Sequence, residues 1–95
     1  MAYNKLSSYK TTWADLPNNG VTVTYQQTEI VRNEGNKITL RSGGWETVTT
    51  KRKMNQASHQ FALGYSVYQR DYSWYVDLPN GETVPFEDGM TFDRY

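Results

Sequence analysis

The sequence contains no cysteine and a single histidine among its 95 residues. The absence of cysteine excludes disulfide bridges and thiolate metal sites, and fits a reducing cytoplasm. No apolar run approaches the roughly 20 residues that a membrane-spanning helix requires, and the first residues lack the apolar stretch of a signal peptide. These absences favour a cytoplasmic protein that needs no metal, cofactor or membrane.

The chain also lacks an excess of charge of either sign, because ten basic residues balance ten acidic ones. The distribution is uneven. Residues 1–70 carry nine Lys or Arg against four acids, whereas residues 71–95 carry six acids against one Arg. The two regions can pair within one fold, and a globally basic nucleic-acid binder would have a different composition.

Large aromatic side chains are the main material for a core. Only 37% of the residues are hydrophobic, but eight tyrosines, three tryptophans and three phenylalanines each bury a large area. The length predicts a single domain over residues 1–95. Residues 1–18 are polar, and the spacing of Leu6, Tyr9 and Trp13 indicates a loosely ordered arm or a short helix there.

Alternating residues predict an antiparallel pair of strands near the start of the domain. Apolar residues alternate with threonines over 21–25, and residues 37–41 form the returning strand after a turn at 33–36. Ile30 falls on the opposite parity from Val21, so we expect a bulge or bend near residues 26–28.

The middle of the chain predicts a third short strand over 45–49, followed by the helix. Thr49 or Thr50 is the expected N-cap, and a thin apolar stripe continues to about Leu63 before Gly64 stops the helix.

A period of two returns after the helix. Strands are predicted over 66–70, 72–78 and 82–86, with a final turn and strand at 87–92. The sequence therefore predicts an α+β fold, in which a mainly antiparallel sheet of two meanders, roughly βββ-α-βββ, packs on one short helix.

Catalytic residues are scarce. Ser58 and His59 are adjacent on the predicted helix, and neighbours on a helix point in different directions, so they do not form a nucleophile–base pair. The acids of the Glu87-Asp88-Gly89 turn lack the ligand spacing of a calcium loop. We therefore expect a protein that is not an enzyme.

The predicted helix start is one candidate binding site. Lys51, Arg52 and Lys53 follow Thr50 where the helix dipole disfavours positive charge. Amides, hydroxyls and basic side chains together suit a phosphate or carboxylate. The alternative is a solvated basic turn that pairs with the acidic C-terminal region.

The aromatic hairpin is a second candidate. If Tyr72, Trp74 and Val76 face the core, Tyr75 points outward together with Tyr68 and Arg70 of the preceding strand. Exposed tyrosines beside an arginine suit a protein–protein contact or base stacking. The alternative is that the helix or the N-terminal arm covers these tyrosines.

Several short motifs together resemble a group of small uncharacterised proteins encoded by bacteriophages. They are Gly-Gly-Trp-x-Thr-x-Thr-Thr-Lys at 43–51, Met54-Asn55, Val67-x-Gln69, Trp74-x-Val76 and Pro85-Phe86-x-Asp88-Gly89-Met90. The resemblance covers about residues 37–90. It implies a bacterial host cytoplasm and a small accessory role, such as binding and inhibiting a host or defence protein, and it identifies no active site.

Two functional hypotheses follow. The first is a non-enzymatic phage protein that occludes a host or defence protein, with contacts from Lys51, Arg52, Lys53, Tyr68 and Tyr75. The second is a direct nucleic-acid or nucleotide binder, with phosphates at residues 50–53 and bases on the tyrosines. The sequence does not decide the oligomeric state.

Overall fold

The computed structural model describes residues 10–17, 20–44 and 47–94. This part of the chain contains eight strands and one helix. In chain order they are β1 (Thr11–Leu16), β2 (Gly20–Tyr25), β3 (Thr28–Glu34), β4 (Lys37–Leu40), α1 (Val48–Gln60), β5 (Ser66–Arg70), β6 (Ser73–Asp77), β7 (Thr83–Pro85) and β8 (Met90–Asp93).

The strands form two antiparallel sheets. The larger has the order β1-β2-β3-β4-β8, and the smaller has the order β5-β6-β7. The α+β prediction with a mainly antiparallel sheet is therefore confirmed. The rough order of three strands on each side of the helix is refined: the described residues form four strands before the helix and four after it, and the last strand leaves the second meander and pairs with β4.

Asp88 connects the turn before β8 to the turn after β4. Its carboxylate accepts hydrogen bonds from the Ser42 backbone N–H at 3.0 Å and the Ser42 hydroxyl at 3.2 Å. The Gly44 N–H donates to the same carboxylate at 3.3 Å. The turn before β8 is thus fastened to the turn after β4, and the two strands meet.

One helix covers the inner side of the larger sheet and contacts the smaller one. It packs against β2, β3 and β5. The core joins buried residues of both sheets to Met54 and Ala57 of the helix and to Leu63 and Tyr65 beyond it. The thin apolar stripe predicted for this helix is therefore its buried side.

The change of parity between β2 and β3 arises from two features. Gln26 and Gln27 form a two-residue turn with positive φ values of 48° and 69°, in the left-handed region that glycine or asparagine usually occupies. The bulge lies further on, because Val23 pairs with Val31 while the next residue of β2 pairs with Glu29. The parity change is confirmed, but its predicted place at residues 26–28 is a hairpin turn.

The helix begins earlier than the sequence predicts. Thr47 is the N-cap, and its hydroxyl accepts a hydrogen bond from the Thr50 N–H at 3.2 Å. The prediction of a strand at 45–49 is wrong for residues 47–49, while residues 45 and 46 lie outside the described part. The helix ends at Gln60 rather than near Leu63, since Ala62 takes a left-handed φ of 55°.

The predicted N-terminal helix is not found where it can be checked. Trp13 lies in β1, which pairs with β2 from Thr11 opposite Tyr25 to Leu16 opposite Gly20. The other two residues of that prediction, Leu6 and Tyr9, lie outside the described residues.

Gly20 gives a stability prediction. A Cβ atom there would lie 2.5 Å from the Asn33 carbonyl oxygen, which is backbone and cannot rotate away. We expect Gly20→Ala to lower the free energy of unfolding by about 2 kcal/mol, measured by urea denaturation.

Gly35→Asn is the matched control. Gly35 has a φ of 59°, which asparagine tolerates, and a Cβ atom at this position would have no described atom within 4 Å. We expect a change below about 0.5 kcal/mol for this variant. Equal stability of Gly20→Ala and the parent protein would contradict the close approach.

Candidate functional site

The outward side of the smaller sheet carries a row of ring side chains. The register places Tyr68 opposite Tyr75, and Tyr75 opposite Pro85. The two tyrosine rings stack with their centroids 5.9 Å apart and their planes inclined by 28°. We call the surface formed by Tyr68, Tyr75 and Pro85 the tyrosine face.

Strand alternation explains why these rings point outward. Val67, Trp74 and Val76 occupy the opposite side of β5 and β6 and are 2%, 7% and 0% exposed. Trp74 packs edge-on against Phe86, with ring centroids 5.3 Å apart. The structure places Tyr68 and Tyr75 on the side of the sheet opposite this core, and both residues are half-buried. Residues 1–9, the part of the N-terminal arm that the alternative placed over these tyrosines, lie outside the described residues.

Tyr72 is not in the core, contrary to the prediction. Asp71 and Tyr72 form the two-residue turn between β5 and β6, with φ values of 51° and 68°. The turn removes Tyr72 from the alternation of β6, and the residue is 96% exposed. Sequence reasoning separated the two strands at Asp71 but missed this exposed ring, because Tyr72 occupies the turn position where glycine is usual.

Polar groups surround the tyrosine face. Arg70 is exposed at one end of β5, opposite Ser73. At the other end the Thr83 hydroxyl donates a hydrogen bond of 2.6 Å to Asp77, which holds that carboxylate in place. An apolar centre with a polar rim is the usual anatomy of a protein–protein contact.

The helix is fastened to the free side of β5 by one amide. The Asn55 side chain donates to the Val67 carbonyl at 2.8 Å and accepts from the Val67 N–H at 2.7 Å. Lys51 and Arg52 lie one helical turn before Asn55 on the side of the helix that borders β5. These two basic residues therefore flank the same sheet that carries the tyrosine face.

The predicted basic site at the helix start is arranged differently from expectation. Because Thr47 is the cap, Lys51, Arg52 and Lys53 lie beyond the first three helical residues. Thr50 is buried, and its hydroxyl lies 3.1 Å from that of Thr47. The basic residues therefore do not occupy the first turn, where the dipole argument applies.

The three basic side chains also point in different directions. Arg52 is exposed, Lys51 is half-buried, and Lys53 is 4% exposed. The Lys53 ammonium lies 5.7 Å from the centroid of the Tyr25 ring, and burial lowers the pKa of this lysine. The structure thus does not bring Lys51, Arg52 and Lys53 together around one anion.

A cavity of about 250 Å³ lies between the helix start and the β2–β3 hairpin. Hydroxyl groups dominate its lining, which includes Thr28, Ser42, Thr47, Thr49 and Thr50. Such a lining suits a small polar molecule. Within residues 10–17, 20–44 and 47–94, no group of three or more His, Cys, Asp or Glu side chains is placed to hold a metal ion.

The acidic C-terminal region makes contacts away from the basic run. Asp93 pairs with Lys37 across β8 and β4, and Asp88 holds the Ser42 turn. Lys51 and Arg52 make no ion pair with any described residue. The alternative, in which the basic turn pairs with the acidic C-terminal region, is therefore not observed for Lys51 and Arg52.

The adjacent serine and histidine are separated by the helix geometry. Ser58 is buried, donates to the Tyr65 carbonyl at 2.7 Å and accepts from the Tyr65 N–H at 3.1 Å. His59 is exposed on another side of the helix. Ser58 therefore fastens the end of the helix to the chain that enters β5.

These features define a small α+β protein with a candidate binding surface on its smaller sheet, the tyrosine face. The chain belongs to the Kyanoviridae Gp96 protein family, whose model matches residues 1–93. The predicted resemblance to a phage-encoded family is confirmed. No curated protein and no solved structure matches the chain. Among the described residues, no helix has the length and apolar character to cross a membrane.

Proposed function

We propose that this phage protein is a non-enzymatic binding protein that docks on a host or defence protein through the tyrosine face and occludes it. The observation that carries the proposal is the row of Tyr68, Tyr75 and Pro85 on the outward side of β5, β6 and β7. The cytoplasm of the infected bacterium is the proposed place of action.

The fixed position of the two tyrosine rings supports a protein partner. Tyr68 and Tyr75 are held by mutual stacking and by a paired sheet, so binding orders few additional side-chain torsions. Tyrosine and arginine are the residues that most often dominate contact energies, and Arg70 and Tyr72 lie at the exposed end of the same hairpin.

The charges support a protein partner over a nucleic acid. Asp71 and Asp77 lie on the same hairpin as Arg70, so the hairpin itself carries no excess of basic groups. Counting Lys51 and Arg52, the surface has three basic residues against two acids, which is a small excess for phosphate binding. Lys51 and Arg52 border β5, so we assign them to the rim, where they meet acidic groups of the partner.

The proposal predicts a strong effect of the two central rings. We expect tagged protein to retain one dominant host protein from nuclease-treated lysate. The Tyr68→Ala/Tyr75→Ala variant should bind the purified partner at least about 30-fold more weakly. The control is Thr39→Ala/Thr91→Ala, because these hydroxyls pair at 3.0 Å on the outward side of the other sheet. Thermal unfolding of all three proteins checks that each is folded.

The outcomes separate the two functional hypotheses. Loss of binding in the tyrosine variant alone supports the tyrosine face. Equal binding by all three proteins would overturn it. Recovery that disappears on nuclease treatment and weakens steeply with salt would favour nucleic-acid binding instead.

A further inference from the structure

The cavity between the helix start and the β2–β3 hairpin has a neutral lining. Besides its hydroxyl groups it is lined by Tyr25, Gln26 and Ile30, and none of its described lining residues carries a charge at neutral pH. Lys53, whose ammonium lies 5.7 Å from the centroid of the Tyr25 ring, is not one of them. A charged ligand would lose its hydration here without meeting an opposite charge in the described lining, so the cavity favours a neutral ligand.

The volume of the cavity limits the size of that ligand. At about 250 Å³ it is smaller than the roughly 300–1,000 Å³ of sites that hold drug-sized molecules. A nucleotide, which joins a base, a sugar and a phosphate, exceeds this space. A single sugar ring has a suitable size.

Ser42 can only accept a hydrogen bond from a ligand. Its hydroxyl donates to the Asp88 carboxylate at 3.2 Å and accepts from the Gly44 N–H at 3.2 Å. A hydroxyl has one donor and two acceptor positions, so one acceptor position of Ser42 is left. An ionised carboxylate has no proton to donate to it, whereas a ligand hydroxyl does.

Thr28 and Thr49 can each donate and accept. Neither hydroxyl has a hydrogen-bond partner among the residues that the structure describes. Thr28 begins β3 and lies against Gly43, where an added Cβ atom would be 2.8 Å from the Thr28 Oγ1. Thr49 lies in the first turn of the helix, next to the capping residue. The sheet and the helix therefore each present one hydroxyl that matches the mixed donor and acceptor character of a sugar hydroxyl.

Tyr25 and Ile30 add an apolar part to the lining. The Gln26 side-chain amide donates to the Tyr25 hydroxyl at 3.4 Å, which helps to hold the ring, and Ile30 is 1% exposed. A sugar ring carries C–H groups beside its hydroxyls, and these groups pack on apolar side chains. Small-molecule sites usually combine such apolar contacts with a few placed polar groups.

We propose that this cavity binds a neutral monosaccharide. Thr28 and Thr49 exchange hydrogen bonds with hydroxyls of the sugar, Ser42 accepts one, and Tyr25 contacts its C–H groups. This site lies on the larger sheet and the helix start, apart from the tyrosine face, and adds a small-molecule ligand to the proposed function.

Titration of isotope-labelled protein with free glucose, galactose and mannose tests the site by nuclear magnetic resonance. We expect at least one of these sugars to shift the backbone amide signals of Thr28, Ser42 and Thr49 selectively, with a Kd on the order of 1 mM, as suits a ligand of this size. Glucuronate, which has the same ring with a carboxylate, is the charged comparison and should bind more weakly than glucose.

The Thr28→Val/Thr49→Val variant removes both hydroxyls with little change of shape. It should bind the sugar at least about tenfold more weakly, because it lacks the hydrogen bonds of both side chains. Thr39→Val/Thr91→Val is the matched control, since these hydroxyls lie on the outward side of the larger sheet, and it should bind like the parent protein. Thermal unfolding checks that each variant is folded.

Three results would overturn the proposal. One is the absence of selective shifts with all three neutral sugars up to about 50 mM. The others are tighter binding of glucuronate than of the neutral sugars, and equal binding by the Thr28→Val/Thr49→Val variant and the parent protein. None of these measurements involves the tyrosine face or a host protein, so the sugar site and the proposed function can fail separately.

Discussion

Replacing Asn55 with leucine is expected to lower the free energy of unfolding by about 3 kcal/mol. Leucine has a similar shape, so the change removes two hydrogen bonds with little loss of volume. It leaves the N–H and C=O of Val67, a residue only 2% exposed, without their partner. Each unpaired buried backbone group costs about 1–3 kcal/mol.

The Asn55→Asp variant tests the two hydrogen bonds of this side chain separately. An ionised carboxylate accepts from the Val67 N–H but repels the Val67 carbonyl oxygen, whereas a protonated carboxyl can donate to that oxygen. We therefore expect the loss of stability in this variant to shrink as the pH falls through the carboxyl titration, while the loss in Asn55→Leu stays constant. Urea unfolding at several pH values measures both. Similar stability of Asn55→Leu and the parent protein would show that the helix does not depend on this amide.

The sequence predicts the structure best where local alternation and packing agree. The threonine-spaced strand at 21–25 and the outward pair Tyr68 and Tyr75 follow from period-two patterns that the core preserves. The turn at 35–36 also follows from local chemistry, because Gly35 takes the positive φ that it accommodates well.

Predictions fail where a contact between distant residues decides the outcome. The return of β8 to the larger sheet depends on Asp88 and Ser42, which are 46 residues apart. The left-handed turns at 26–27 and 71–72 place glutamine and tyrosine at positive φ, where local propensity gives no signal, and only Asp71 is of a type that such turns favour. Packing of the flanking strands overrides the preference for glycine.

The basic candidate site shows how one misplaced cap changes a functional argument. Thr47, Thr49 and Thr50 are all reasonable N-caps by residue type, but the choice among them decides whether Lys51 lies in the first turn. With Thr47 as the cap, the first turn of the helix contains Thr49 and Thr50 instead of basic residues. The Lys53 ammonium lies over the Tyr25 ring. The tyrosine face does not depend on that boundary, so its predicted orientation is unaffected.

The hydroxyl of Tyr65 should govern stability at alkaline pH. The ring is 3% exposed, its hydroxyl donates to the Met54 carbonyl at 2.6 Å, and burial raises the pKa of the phenol far above its usual range. Above about pH 10 the unfolded chain loses this proton while the folded protein keeps it. Stability from this group is therefore full below about pH 10 and decreases by about 1.4 kcal/mol for each further pH unit.

Tyr65→Phe should make the pH-stability curves cross. At about pH 7 the variant lacks one hydrogen bond and is expected to be less stable than the parent protein by about 1 kcal/mol. Above about pH 11 it should be the more stable protein, because it has no buried phenol to keep protonated. Urea unfolding from about pH 7 to about pH 12 checks this, with Tyr72→Phe as the control because that ring is 96% exposed. Parallel curves for Tyr65→Phe and the parent protein would place the alkaline sensitivity elsewhere. A crossing confined to Tyr65→Phe would assign it to the contact that joins the helix to the chain entering β5.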